Sequence, residues 1–183
     1  MKVVALKKED TELIQQAAEI LVAAFADSHP DAWPTQKDGL EEVNKCLDPE
    51  MILLVAVDGV GQLLGWIGGR PEYDFAWELH PLAVSLAAQR QGVGRALVAE
   101  LEKRIKATGA TTIYLGSDDE THQTSLSGVD LYPNPYEHIA NIKNLRNHPF
   151  EFYQKCGYTI TGVIPDANGL GKPDILMAKR IDQ

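Results

Sequence analysis

Apolar residues recur along the chain with two periods. Leu13, Ile14, Ala17, Ile20, Leu21, Ala24 and Phe25 fall at the three- and four-residue spacing of one helix face. Asp10 stands where a capping side chain would meet the first free amides, and Ser28-His29-Pro30 breaks the pattern, so this helix is expected to stop near Ala26. Ahead of it, Val3, Val4 and Ala5 fit a short first strand. Behind it, the loop DAWPTQKDG leads into a second short helix with Leu40, Val43 and Leu47 on one face.

Period-two and wholly apolar runs follow. Residues 51–57 and 63–69 flank the turn signal Asp58-Gly59 and read as an antiparallel hairpin. Residues 77–84 add a third strand to this meander, and Pro81 within it removes a ladder donor, which calls for a bulge or a local parting of strands. A helix from Gly92 carries Val93, Leu97, Leu101 and Ile105 on one face and stops at Gly109. The β-branched run 111–115 is then a buried strand, parallel to the preceding one because a helical crossover joins them. The polar stretch SDDETHQTSLSGVDLYPNPYEH has the length of a functional or disordered loop and is taken as part of a substrate rim. A helix over about 139–155, kinked or restarted at Pro149 and stopped by Gly157, precedes two antiparallel strands at 158–164 and 174–181, joined by the turn PDANGLGKP. No repeat or linker interrupts residues 1–183, which are expected to form a single α/β domain.

Composition narrows the partners. The formal net charge is −9, from 26 acidic and 17 basic residues, which disfavours nucleic acid or an anionic membrane and permits a cationic substrate. Hydrophobic residues make up 44% of the chain, yet no run approaches the roughly 20 that a membrane helix needs. The N-terminus has no apolar segment of signal-peptide length, and Cys46 and Cys156 are too few for a disulfide framework; two idle thiols in a reducing cytoplasm is the expectation. His29, His80, His122, His138 and His148 show no zinc-type spacing, so no metal is expected.

The densest chemical signal is Gln89-Arg90-Gln91-Gly92-Val93-Gly94, where a strand passes through a glycine turn into a helix. Amides from about Gln91 through Val93, Gly94 and Arg95 to Ala96 can converge on an anion there, helped by the helix dipole. The hexapeptide alone is equally compatible with a turn that holds nothing. Leu97 occupies the place of the third Rossmann glycine, and a Walker Gly-Lys-Ser/Thr is absent. What remains resembles the Gln/Arg-x-x-Gly-x-Gly/Ala acyl-coenzyme A loop of the GNAT superfamily of N-acetyltransferases. WELHPL, GVGRALV, TIYLGSDDE, NLRNHPFEFYQKCGY and DANGLGKPDILMAK are similar, in order and over almost the whole chain, to the blocks of its aminoglycoside 6′-N-acetyltransferases.

That resemblance implies a mixed central sheet of about seven strands, splayed at the fourth and fifth, with about four flanking helices. It implies acetyl-CoA as cosubstrate, held by the Gln89–Ala96 loop, with the Leu82 amide on the acetyl carbonyl and the Val84 amide on the pantetheine arm. Tyr153 matches the tyrosine such enzymes hold near the coenzyme sulfur, although a helix aromatic facing the core fits its spacing almost as well. In the same block Arg146 and Pro149 stand where asparagine and alanine are common, which clouds the pantetheine contacts.

The residues themselves supply the remaining candidates. Alternation puts Glu78 and His80 on the face opposite Trp77 and Leu79, where two isolated polar residues read as ordinary solvent-facing positions of a strand edge; their place in the resembling WELHPL block is what marks Glu78 to hold an ammonium and draw off its proton, directly or through water, with His80 beside it. Trp33 offers either core packing or an aromatic wall to a substrate. Asp118, Asp119 and Glu120 either collect a polycation or form a solvated acidic loop. Cys156, next to Gly157, is a poor nucleophile candidate, which favours direct transfer. The expected acceptor is a polycationic aminoglycoside. A polyamine, another small amine or a protein amino group is the alternative within the fold, and a non-catalytic acyl-CoA sensor the alternative outside enzymes. The resemblance adds a homodimer.

Overall fold

The computed structural model describes residues 1–181, which divide into two compact units, residues 1–113 with Ile181 and residues 114–180. The first is built on four antiparallel strands, β1 (Lys2–Ala5), β2 (Ile52–Val57), β3 (Leu63–Tyr73) and β4 (Ala76–Val84), each paired with the next. Helices α1 (Thr11–Phe25), α2 (Gln36–Cys46) and α3 (Val93–Lys106) pack with them.

Packing follows the sequence pattern. Ile14, Ala17 and Leu21 of α1 are buried, as are Leu97, Leu101 and Ile105 of α3, and each large aliphatic side chain so removed from water contributes about 1.5–3 kcal/mol. Trp66 at the centre of β3 is fully buried, and its indole N–H donates to the Ala17 carbonyl at 2.9 Å, so the polar atom of the largest core side chain has a partner in α1. A reciprocal capping box starts α2: Thr35 Oγ1 accepts from the Asp38 amide, and the Asp38 carboxylate accepts from the Thr35 amide. Asp10 departs from its expected part. Its carboxylate accepts from the preceding Lys7 amide at 3.0 Å, and only its backbone carbonyl serves α1.

Pro81 produces the bulge expected of it. The β3–β4 register shifts between Ile67↔Leu82 and Gly69↔Leu79, and the His80–Pro81 peptide at the shift is cis. Either side of it the alternation of β4 survives: Trp77, Leu79, Pro81 and Ala83 are buried, while Glu78, His80, Leu82 and Val84 are half-buried on the other face.

Strand β5 (Thr112–Asp118) starts in the first unit and continues into the second, which holds α4 (Pro135–Ala140), α5 (Phe150–Lys155), β6 (Thr159–Ile164) and β7 (Asp174–Arg180). Strand order is β1-β2-β3-β4-β5-β7-β6, a mixed sheet of seven strands flanked by helices. The expected helix over 139–155 restarts at Pro149, the N-cap of α5, as one of its two readings had it, but its first part is corrected: α4 ends at Ala140 and a hydrogen-bonded loop fills the interval. Asn144 is the reason: its side chain accepts from the His148 amide at 2.8 Å and donates to the His148 carbonyl at 2.9 Å, offering the backbone an alternative to helix. Asn144 also bridges Thr124, and the Leu145 and Arg146 amides donate to the Gln123 carbonyl. The long polar stretch is thereby folded against residues 143–146. No helix among the described residues is long and apolar enough to cross a membrane.

Candidate functional site

The glycine loop has the construction of an anion cradle. A single 3-10 turn, Leu86–Ala88, leads into it; Arg90 and Gly92 both take positive φ, 60° and 88°, and Gly92 is the N-cap of α3. A Cβ added at Gly92 would meet nothing within 4 Å, so backbone conformation, with open space beside it, is what selects glycine there. No side chain caps α3 and no acidic residue lies in its first turn, whereas Lys103, Arg104 and Lys106 occupy the last turn. The helix dipole is thus matched at its C-terminal end and left to an outside anion at its N-terminal end. The Gln91 side chain donates to the Ala87 carbonyl at 2.8 Å and Gln89 to that of Val84 at 3.3 Å, bracing the loop from within. These features fit a diphosphate.

On the half-buried face of β4, Glu78 stands directly across from Arg70 of β3. Arg70 Nε and Nη2 lie 2.6 and 2.5 Å from the same oxygen, Glu78 Oε2, and Nε also lies 3.0 Å from Glu72 Oε1. Two residues along, His80 Nε2 approaches Glu42 Oε1 of α2 at 3.4 Å. Hydrogen bonding to His80, aided by the His80 and Lys45 charges, holds the Glu42 carboxyl down at about 2 against its ordinary 4.5. Trp33 completes this corner, with its ring centroid 6.1 Å from His80 and 5.0 Å from Phe25. It both packs on the core and borders the polar face, so its two sequence readings are compatible. Neither Glu42 nor Arg70 was marked by the sequence pattern. Glu42 lay on an unremarked face of α2, and Arg70 lay one residue beyond the expected strand end.

Cys46, one turn after Glu42, is buried, and burial with the Glu42 charge pushes its thiol up to about 12, so it is no nucleophile. Cys156 is only partly buried, and its carbonyl accepts from Lys179 at 2.8 Å.

In the second unit Tyr153 is buried, with its ring edge-on to Phe152 at 5.1 Å and to Tyr158 at 5.8 Å. Burial, with a smaller contribution from Cys156, pushes its hydroxyl well above the usual phenol range, so it keeps its proton at any physiological pH. The acidic trio is differently used. Asp119 is fully buried and its two oxygens accept the Gln123 and Thr124 amides at 2.7 Å each, so it organises its own loop and does not belong to a rim. Asp118 accepts a hydrogen bond from Asn168, and Glu120 lies 3.8 Å from Lys172; both remain partly exposed. His148, which had no assigned part, is buried, with Nε2 donating to the Asp118 carbonyl at 3.0 Å and Nδ1 accepting from the Phe150 amide at 3.2 Å. Among the described residues no group of three or more His, Cys, Asp or Glu is arranged to hold a metal ion.

Comparison with known proteins bears on the family and the fold. Residues 14–132 match the model of the acetyltransferase (GNAT) family. A solved aminoglycoside 6′-N-acetyltransferase complexed with coenzyme A is 42% identical, with 99% of this chain and 97% of that one covered and a TM-score of 0.90. The aminoglycoside 6′-N-acetyltransferase of Enterococcus faecium is also 42% identical over 99% and 97% of the two chains, with a TM-score of 0.87. The mycothiol acetyltransferase of Stackebrandtia nassauensis is 32% identical over 130 residues, 68% of this chain but only 40% of that protein, so the match spans less than half of that relative's length. Anion loop, bulged strand, mixed sheet and whole-chain similarity lead to one conclusion: the chain belongs to the GNAT family of acetyltransferases.

Proposed function

We propose that this chain transfers the acetyl group of acetyl-CoA directly to a primary amine, the 6′-amine of an aminoglycoside. The observation that carries the reading is similarity along 99% of the chain, at 42% identity, to a structure described as an aminoglycoside 6′-N-acetyltransferase with coenzyme A. The half-buried face of β4 supports it, because Glu78, His80, Leu82 and Val84 all project there.

Acetyl-CoA, when bound, supplies the activated acetyl group as a thioester. The amides from Gln91 to Arg95 would hold its diphosphate, with the side chains of Gln89, Arg90 and Arg95 beside them; the Ala96 amide, expected to join them, instead donates to the Gly92 carbonyl at 3.0 Å within α3. The Leu82 amide, beyond the bulge, donates to the acetyl carbonyl and so favours the charge that grows on its oxygen. The Val84 amide holds the pantetheine arm. Glu78 binds the acceptor ammonium and takes its proton, directly or through water, since only the neutral amine is a nucleophile. His80, fixed by Glu42, and the Trp33 ring border the acceptor. Tyr153 keeps the proton that a departing thiolate needs. Asp118 and Glu120 add to the negative field that draws a polycation. The reading carries with it a homodimer and a cytoplasmic location, where acetyl-CoA is available.

A panel of acceptors tests it: kanamycin A, its 6′-hydroxyl counterpart, spermidine and a lysine peptide, with product followed by mass spectrometry. The 6′-amino compound is expected to be acetylated at the highest kcat/KM, the 6′-hydroxyl compound hardly at all, and KM to rise with ionic strength. Far better turnover of spermidine or the peptide overturns the acceptor and leaves the chemistry standing. Sedimentation velocity tests the dimer.

A further inference from the structure

The carboxylate that the proposed reaction assigns to the acceptor ammonium already holds a cation of the protein's own. Arg70 sits across the strand pair from Glu78, with Nε and Nη2 both on Oε2. An ammonium that takes the Oε2 seat exchanges one ion pair for another. The geometry makes that exchange easy. Arg70 Nε is already 3.0 Å from Glu72 Oε1, so a second seat lies within reach of a small rotation. Side-chain exposures of 40% for Arg70 and 42% for Glu72, against 16% for Glu78, mean that the guanidinium can leave the more enclosed carboxylate for the more open one without entering a drier environment.

We propose that Arg70 is the resident counter-cation of the acceptor site: it occupies Glu78 until an acceptor ammonium replaces it, then rests on Glu72. The inference depends on the reading of Glu78 given above. Any acceptor, monoamine or polyamine, meets the same cost of displacing Arg70, which is small because exposed or half-exposed pairs are individually weak. A rigid polyamine brings further charges into the same acidic field and displaces Arg70 at lower concentration. Arg70 also neutralises Glu78 in the ligand-free protein, so the half-buried carboxylate is never left alone.

The test uses the full chain with Arg70→Met, which keeps the aliphatic stem, Arg70→Lys, which keeps the charge, and Glu72→Gln, which removes the second seat. KM and kcat are measured for kanamycin A and for the monoamine 6-amino-6-deoxyglucose, and the Arg70 Nε–Hε resonance is followed by NMR during titration with kanamycin A and, separately, spermidine. Arg70→Met is expected to lower KM for the monoamine and for kanamycin alike, by about two- to fivefold, the scale of one half-exposed ion pair. Arg70→Lys is expected to stay near wild type and Glu72→Gln to raise both KM values. The Arg70 resonance should shift as either polycation saturates. An Arg70→Met enzyme with unchanged or higher KM, or a resonance unmoved by both polycations, overturns the exchange. Acetylation of spermidine alone would sink the aminoglycoside reading and leave the exchange to the spermidine titration, where a moving Arg70 signal supports it and a static one does not.

Discussion

Gly68 and His80 meet across the β3–β4 pair so closely that a Cβ on Gly68 would fall on the His80 carbonyl oxygen. The contact sits at the register shift, where β4 bulges at Pro81 and hands over from Glu78 and His80 to Leu82. Gly68→Ala must push β4 outward. We expect a loss of about 1–3 kcal/mol, the usual cost of overfilling a packed site, visible as a lower Tm, with kcat/KM falling further than stability alone explains. Wild-type Tm and turnover in this variant would mean that the bulge absorbs a methyl group freely.

Glu78→Gln keeps the shape of the side chain and removes its charge and basicity. Acceptor kcat/KM is expected to drop tenfold or more, within the roughly 10²–10⁴-fold range for general-base loss, while acetyl-CoA affinity by calorimetry stays near normal. If the variant reproduces the wild-type pH–rate profile, Glu78 is not the base.

Gly94→Asp places a carboxylate in the first turn of α3, which has no acidic residue now. Repulsion of the diphosphate and added bulk should weaken acetyl-CoA binding at least tenfold in a calorimetric titration. Undiminished affinity in the folded variant would remove the loop from the cofactor site.

The Glu42 carboxyl, held at about 2 chiefly by His80, links the site to acid stability. Its folded value lies below the unfolded 4.5, so its stabilisation is complete above about 4.5 and is lost as pH falls toward 2. Glu42→Gln should therefore flatten the fall in Tm between about pH 4.5 and 2, measured by calorimetry at a series of pH values. A slope identical to wild type would show that the pair with His80 contributes nothing in solution.

The parts of this molecule that were legible in the sequence are those governed by one segment at a time. The periodicity of α1 and α3, the Asp58-Gly59 hairpin and the bulge at Pro81 each follow from local rules. So does the shared face of Glu78 and His80, since alternation survives the bulge. What escaped depends on partners far away in the chain. Strand β3 runs on to Tyr73, past the expected end at residue 69, because β4 pairs with it there, and this extension creates the Arg70–Glu78 contact. Glu42 reaches His80 only through the packing of α2 in the first unit. Asp119 looked like a surface carboxylate until its loop closed around it, and Asn144 replaced a helix by a side-chain-stapled turn that no hydrophobic period announces.

Of the three tryptophans, Trp66 is fully and Trp77 almost fully shielded from water, whereas Trp33 is only partly covered and stands beside His80. A charged group arriving beside a partly exposed indole alters its emission, and displaced water shifts it further. The molecule thus carries its own optical gauge at one corner of the candidate site, set against two inner rings whose light should stay constant. Excitation of the unlabelled protein would then report arrival of a cation near His80 in real time, and Trp33→Phe would leave the same protein dark to that event.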